Sequence, residues 1–133
     1  MTDAQHIAKT TKTIALIGAS NKPERASYHV MEFLLAKGYV VHPVNPGLAG
    51  QTLLEQQVYA SLAEVPAPVD MVDIFRNTED AAKVVDEAIA LQDALQIKTI
   101  WCQLGVTPRA AGARAEAAGI AFVMDKCPAI EWR

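Results

Sequence analysis

A chain of 133 residues, 51% hydrophobic and 20% charged, holds one globular domain rather than two, and is neither a disordered tail nor a collagen-like repeat. At this length folding withdraws roughly two-thirds of the unfolded chain's surface from water, so the core needs neither a disulfide nor a metal to hold it. The 12 Lys and Arg against 15 Asp and Glu leave a net charge of −3, which argues against the basic surface of a nucleic-acid binder but not against a local basic pocket.

Residues 1–12 are polar, with no apolar stretch and no small-residue cleavage site, and read as a flexible segment ahead of a domain over 13–133. Residues 13–18 (TIALIG) are β-branched and apolar without alternation, the pattern of a strand buried on both faces. Ser27 is placed to cap a helix over 28–37, where Val30, Phe33, Leu34 and Lys37 follow helical spacing and Gly38 supplies the stop. Residues 39–44 (YVVHPV) form a second strand in which Pro43 removes one ladder donor, and 45–50 (NPGLAG) form a loop. A short edge strand is expected over 58–60 and about one helical turn over 61–65.

Residues 69–75 (VDMVDIF) make the next strand. A helix follows over 79–95, capped by Asn77 or Thr78, with Ala81, Val84, Val85, Ala88, Ile89 and Leu95 mostly on one face. Residues 97–102 (IKTIWC) are a strand, and Thr107 caps an Ala-rich helix with Pro108 at its first position that runs to Ala118. Gly119 stops it, 120–124 are the last strand, and the tail carries CPAIEW. Strands separated by helical stretches imply right-handed crossovers and a parallel sheet. The expected fold is therefore a Rossmann-like, doubly wound α/β sheet of five or six strands in a single domain. Such sheets bind ligands at the carboxyl ends of the strands where the strand order reverses. An order of 3-2-1-4-5-6 would put that crevice between the first strand and the 69–75 strand.

The loop after the first strand carries the chemistry. Gly18, Ala19, Ser20, Lys22, Arg25 and Ser27 join a buried strand to a helix start, where unpaired N–H groups and the positive end of the dipole favour a phosphate. Two hydroxyls and two cations add to that preference. The bland alternative is a turn glycine flanked by solvated charges. The dinucleotide fingerprint is absent, because Ser20 and Pro23 occupy the positions of its second and third glycines. The second strand ends in Val44-Asn45-Pro46, without the acid that holds an NAD ribose, so NAD is disfavoured more than NADP.

Six stretches in order carry a resemblance: Gly18-Ala19-Ser20 with Lys22-Pro23, Val44-Asn45-Pro46 with Ala49-Gly50, Val58 to Leu62, Val69-Asp70 with Asp73 to Arg76, Gln103-Leu104-Gly105, and Cys127-Pro128. Together they resemble the small single-domain CoA-binding proteins, related to the CoA-binding domain of the succinyl-CoA synthetase α subunit. The resemblance implies coenzyme A at the strand ends: phosphate on Gly18 to Ser20, Asn45, Pro46, Ile74, Phe75 and Arg76 framing the nucleotide, and the turn from Gln103 to Gly105 toward the pantetheine. Lys22, Arg25 and Arg76 would meet the phosphates, with Arg25 and Arg76 as the main charge contacts. Relatives often carry a Lys or Arg just after the Asn-Pro, where this chain has Gly47 and Leu48, so one phosphate contact is missing.

The resemblance brings no reaction with it: the phosphorylated histidine loop and ATP-grasp partner of the synthetases have no counterpart in this sequence. His29 reads as a solvent or capping residue and His42 as a partly buried one; no Ser-His-Asp or Cys-His-Asp spacing stands out. Cys102 reads as core. Cys127 is either a small buried hydrophobe or a thiol near the CoA sulfur whose pKa Lys126 could lower. Neither cysteine has metal-ligand spacing, and Asp73 either faces the crevice or holds a loop. The expectation is a cytoplasmic binder of CoA or acyl-CoA without evident catalytic machinery, either regulatory or completed by a protein partner, without nucleic-acid or membrane contacts; self-association stays open. An NADP-binding oxidoreductase-like protein is the alternative.

Overall fold

The computed structural model describes residues 4–133. Its main sheet has five parallel strands: β1 (Thr13–Ile17), β2 (Val40–Val44), β5 (Met71–Ile74), β6 (Thr99–Cys102) and β7 (Ala121–Val123), in the order β2-β1-β5-β6-β7. β3 (Thr52–Leu53) and β4 (Gln56–Gln57) form a separate antiparallel hairpin that sequence patterning does not reveal. The chain winds from β1 outward to β2 and then crosses back to β5 on the other side of β1. The strand order therefore reverses between β1 and β5, which pair from Ile14↔Met71 to Ile17↔Ile74.

The apolar runs behave as their lack of alternation requires. In β1, Ala15 and Ile17 enter the core shared with Val72, Ile74, Val85 and Ala115, while Ile14 and Leu16 enter the core shared with Met31, Leu34 and Trp101. The first core lies under α3 (Thr78–Ala90) and α5 (Arg109–Ala117), the second under α2 (Ala26–Ala36) and α6 (Pro128–Glu131). Both faces of the sheet are covered, so this is a single Rossmann-like α/β domain. No helix among the described residues is long and apolar enough to cross a membrane.

Several local expectations need correction. The segment 58–60 is not a full strand: it makes one parallel bridge, Tyr59 to Val44. Tyr59 N–H donates to the Pro43 carbonyl at 2.9 Å, and the next rung of that ladder would need the N–H that Pro43 lacks. Ser27 does not cap α2; Arg25 is the N-cap and Ser27 is buried in the first turn. Thr107 caps nothing either, since Pro108 takes that position and Thr107 N–H donates to Thr78 Oγ1. The helix expected over 79–95 ends at Ala90 and resumes as the short α4 (Gln92–Leu95). Asn77 does cap α3, accepting from Asp80 N–H at 2.8 Å.

The expectation of a flexible segment over 1–12 fails for its described part: α1 (Ala4–Thr10) is a helix with Ile7 buried. It is tied down from afar, by Tyr39 O–H donating to the Ala8 carbonyl and Trp132 Nε1–H to the Ala4 carbonyl, both at 2.9 Å. Residues 1–3 lie outside the described residues.

Candidate functional site

A cleft of about 520 Å³ opens at the carboxyl ends of β1, β2 and β5, at the switch point. Its floor depends on Gly18, which has φ +88° and lies so close to β5 that a Cβ there would sit 2.4 Å from the Phe75 carbonyl oxygen. Only glycine combines that backbone region with that approach. The Gly18 and Ala19 N–H groups are not free for a ligand, since both donate to the Val44 carbonyl at 3.0 and 3.2 Å. The free donors come next in the chain. Ser20 Oγ accepts from Lys22 N–H at 3.1 Å and shapes the loop, and Arg25 begins α2 without a side-chain cap. The first N–H groups of α2 therefore have no intrahelical acceptor, and Ala26 and Ser27 line the cleft.

Asn45 clamps the opposite wall. Its Nδ2 donates to the Ala19 carbonyl at 2.7 Å and its Oδ1 accepts from Gly47 N–H at 2.8 Å, binding the β1 and β2 loops together. Lys22, Arg25 and Arg76 line the cleft, and none of its lining residues is Asp, Glu, His or Cys. Arg76 is shared with Asp80, whose Oδ2 accepts from Nη2 at 3.0 Å; that bond holds the Asp80 carboxyl below its ordinary range.

Nine of the sequence-derived site residues meet in this cleft: Gly18, Ala19, Ser20, Lys22, Arg25, Ser27, Asn45, Phe75 and Arg76. The other four stand elsewhere. Pro46 lines an adjoining recess of about 140 Å³ with Ser61, Leu62, Val84 and Glu87. Ile74 is fully buried inside β5. Gln103 is buried with its Nε2 donating to Asp73 Oδ1 at 3.0 Å, and Gly105 N–H donates to Asp125 Oδ1 at 2.7 Å. Asn21, Ala26, Gly47 and Leu48 also line the cleft. The first two lie inside the loop already singled out, and the last two follow Asn45-Pro46, where a missing cation drew more notice than the wall those residues make.

Beneath the strand ends lies an anomaly. Asp73 is fully buried and its Oδ2 has no hydrogen-bond partner among the described residues. Burial pushes its carboxyl up to about 7, against the opposing effect of the Gln103 bond. Burial also pushes the Cys102 thiol up to about 12 and raises that of Cys127, so Lys126 does not activate Cys127. His42 is partly buried against Tyr59, with ring centroids 5.7 Å apart, and burial lowers its pKa. His29 lies exposed beside Glu32.

A doubly wound parallel sheet with a cationic, acid-free cleft at its switch point defines a Rossmann-like domain, and in such sheets the switch point is where ligands bind. The chain belongs to the CoA binding domain family, which matches residues 12–133. It is similar to the uncharacterised protein YneT of Bacillus subtilis, at 29% identity over 94% of this chain and 88% of that one. It also resembles the alpha subunit of the ADP-forming acetate–CoA ligase I of Pyrococcus furiosus, at 34% identity over 57% of this chain, and spans only 17% of that subunit. Among solved structures, a hypothetical protein from Pyrococcus horikoshii OT3 superposes with a TM-score of 0.88 at 35% identity, covering 97% of this chain and 87% of its own.

Proposed function

We propose that this domain is a cytoplasmic binder of coenzyme A or an acyl-CoA. The ligand's pyrophosphate would lie against the uncapped start of α2, with Lys22, Arg25 and Arg76 supplying charge. The single observation that carries this reading is the acid-free cleft with three cations at the switch point. Charge-assisted contacts from Arg to phosphate are strong, and the helix start adds donors that nothing else satisfies. The similarity to an acetate–CoA ligase subunit supports the same ligand.

The cleft supports binding rather than a covalent step. Its two hydroxyls, on Ser20 and Ser27, have no His, Asp or Glu among the lining residues to act as a base. Catalysis by a protein partner, with this domain as the CoA-holding part, remains compatible with that role, and a stable partner in a pull-down would support it. NADP is the weaker reading: Ser20 and Pro23 stand where the dinucleotide fingerprint has its second and third glycines. Calorimetric titration with CoA, acetyl-CoA, NAD and NADP tests the proposal. CoA should bind and NAD should not; NAD binding at comparable or better affinity overturns it.

A further inference from the structure

The cleft is chemically one-sided. The α2 wall presents Lys22, Arg25 and the unpaired N–H groups at the helix start. The β2 wall presents Asn45, Gly47 and Leu48, and the backbone N–H of each is already engaged. Asn45 N–H donates to the Tyr59 carbonyl, Pro46 has none, Gly47 N–H donates to Asn45 Oδ1, and Leu48 N–H donates to the Asn45 carbonyl. The Asn45 amide itself is tied to Ala19 and Gly47. Leu48 is apolar and half-buried.

In doubly wound sheets the end of the second strand is where a nucleotide's ribose is read: an acid there holds a free diol, and a cation holds a phosphate. This chain has neither, and the backbone N–H groups of Asn45, Gly47 and Leu48 are engaged within the protein. On the basis of the CoA reading above, we infer that the site recognises the 5′-diphosphate of its ligand and is indifferent to a phosphate on the ribose. CoA and 3′-dephospho-CoA are then bound alike. A ribose phosphate would rest in water against Leu48 and gain nothing from a protein whose net charge is −3.

Titration of the full chain with CoA and 3′-dephospho-CoA, at two salt concentrations, tests this. The two affinities should agree within about threefold, the scatter expected when only an exposed charge differs. Their salt dependences should match. Leu48→Lys places a cation at the end of β2 and should favour CoA over 3′-dephospho-CoA by about tenfold, the worth of one charge-assisted contact. Gly47→Lys, at an exposed position, gives the same readout if Leu48→Lys does not fold. A parent protein that binds CoA tenfold or more tighter than 3′-dephospho-CoA overturns the inference while leaving CoA binding intact. So does a folded Lys variant with an unchanged ratio, because it puts the ribose elsewhere. Failure of both ligands to bind the parent overturns the CoA reading itself.

Discussion

The Arg76 guanidinium holds the Asp80 carboxylate at 3.0 Å, one turn into α3, with both side chains about two-fifths exposed. Arg76 thus lines the cleft with one of its five donors engaged and part of its charge offset, whereas Arg25 has no carboxylate partner among the described residues. The two arginines are therefore unequal. Arg25→Ala should weaken CoA binding by about 1.5–3 kcal/mol, the range of a charge-assisted bond. Arg76→Ala should cost less, about 1 kcal/mol, because an anion must share the side chain with Asp80. Asp80→Asn should tighten binding. Titrations of the three variants give the ranking, and equal affinities for all three and the parent would place the ligand away from these strand ends.

Gly18 is constrained twice, by its positive φ and by the Phe75 carbonyl. Gly18→Ala should destabilise the fold by at least about 2 kcal/mol, since it adds backbone strain to a clash with main chain. Urea denaturation measures it. A loss of a few tenths would mean that the β1 and β5 ends part easily.

Asp73 links stability to pH. Its folded carboxyl titrates near 7, above the ordinary 3.8, so the folded chain keeps a proton that the unfolded chain releases. That contribution is complete below about pH 4, is lost as pH rises through 7, and totals at most about 4 kcal/mol. Asp73→Asn cannot carry the charge. Relative to the parent it should gain stability from about pH 4 to pH 7 and level off above, in denaturant melts. Parallel pH profiles for the two proteins would show that the buried carboxylate costs nothing.

Burial raises both thiols, so neither Cys102 nor Cys127 should react with a disulfide reagent at pH 8 faster than the chain opens. Labelling of Cys127 in the folded protein at the rate of a free thiol would restore it as a candidate partner for the CoA sulfur.

The parallel core was legible because residues 14–17, 71–74 and 99–102 are, apart from Asp73 and Thr99, apolar on both faces, and only a doubly covered strand requires that. The β1–α2 loop was legible because a glycine between a buried strand and a helix has few structural uses. α1 was not: its composition is polar, one residue is buried, and its anchors at Tyr39 and Trp132 lie far along the chain. Gln103 and Gly105 were placed with the ligand by their position after a strand and by resemblance. The Gln103 side chain turns inward to Asp73 and the Gly105 N–H bonds Asp125 at the surface, and no local pattern signals such partners. Arg76 and Asp80 stand four residues apart, a spacing that suits an ion pair, but the pairing matters only once the strand end is known to open on the cleft.

Amide chemical-shift mapping during a CoA titration tests most directly whether this cleft is the ligand site. The expected shifts fall on residues 18–27, on 45–48 and on Phe75 and Arg76, with α5 unmoved. Shifts centred on other surfaces, or none at CoA concentrations where binding is measured by calorimetry, would contradict it.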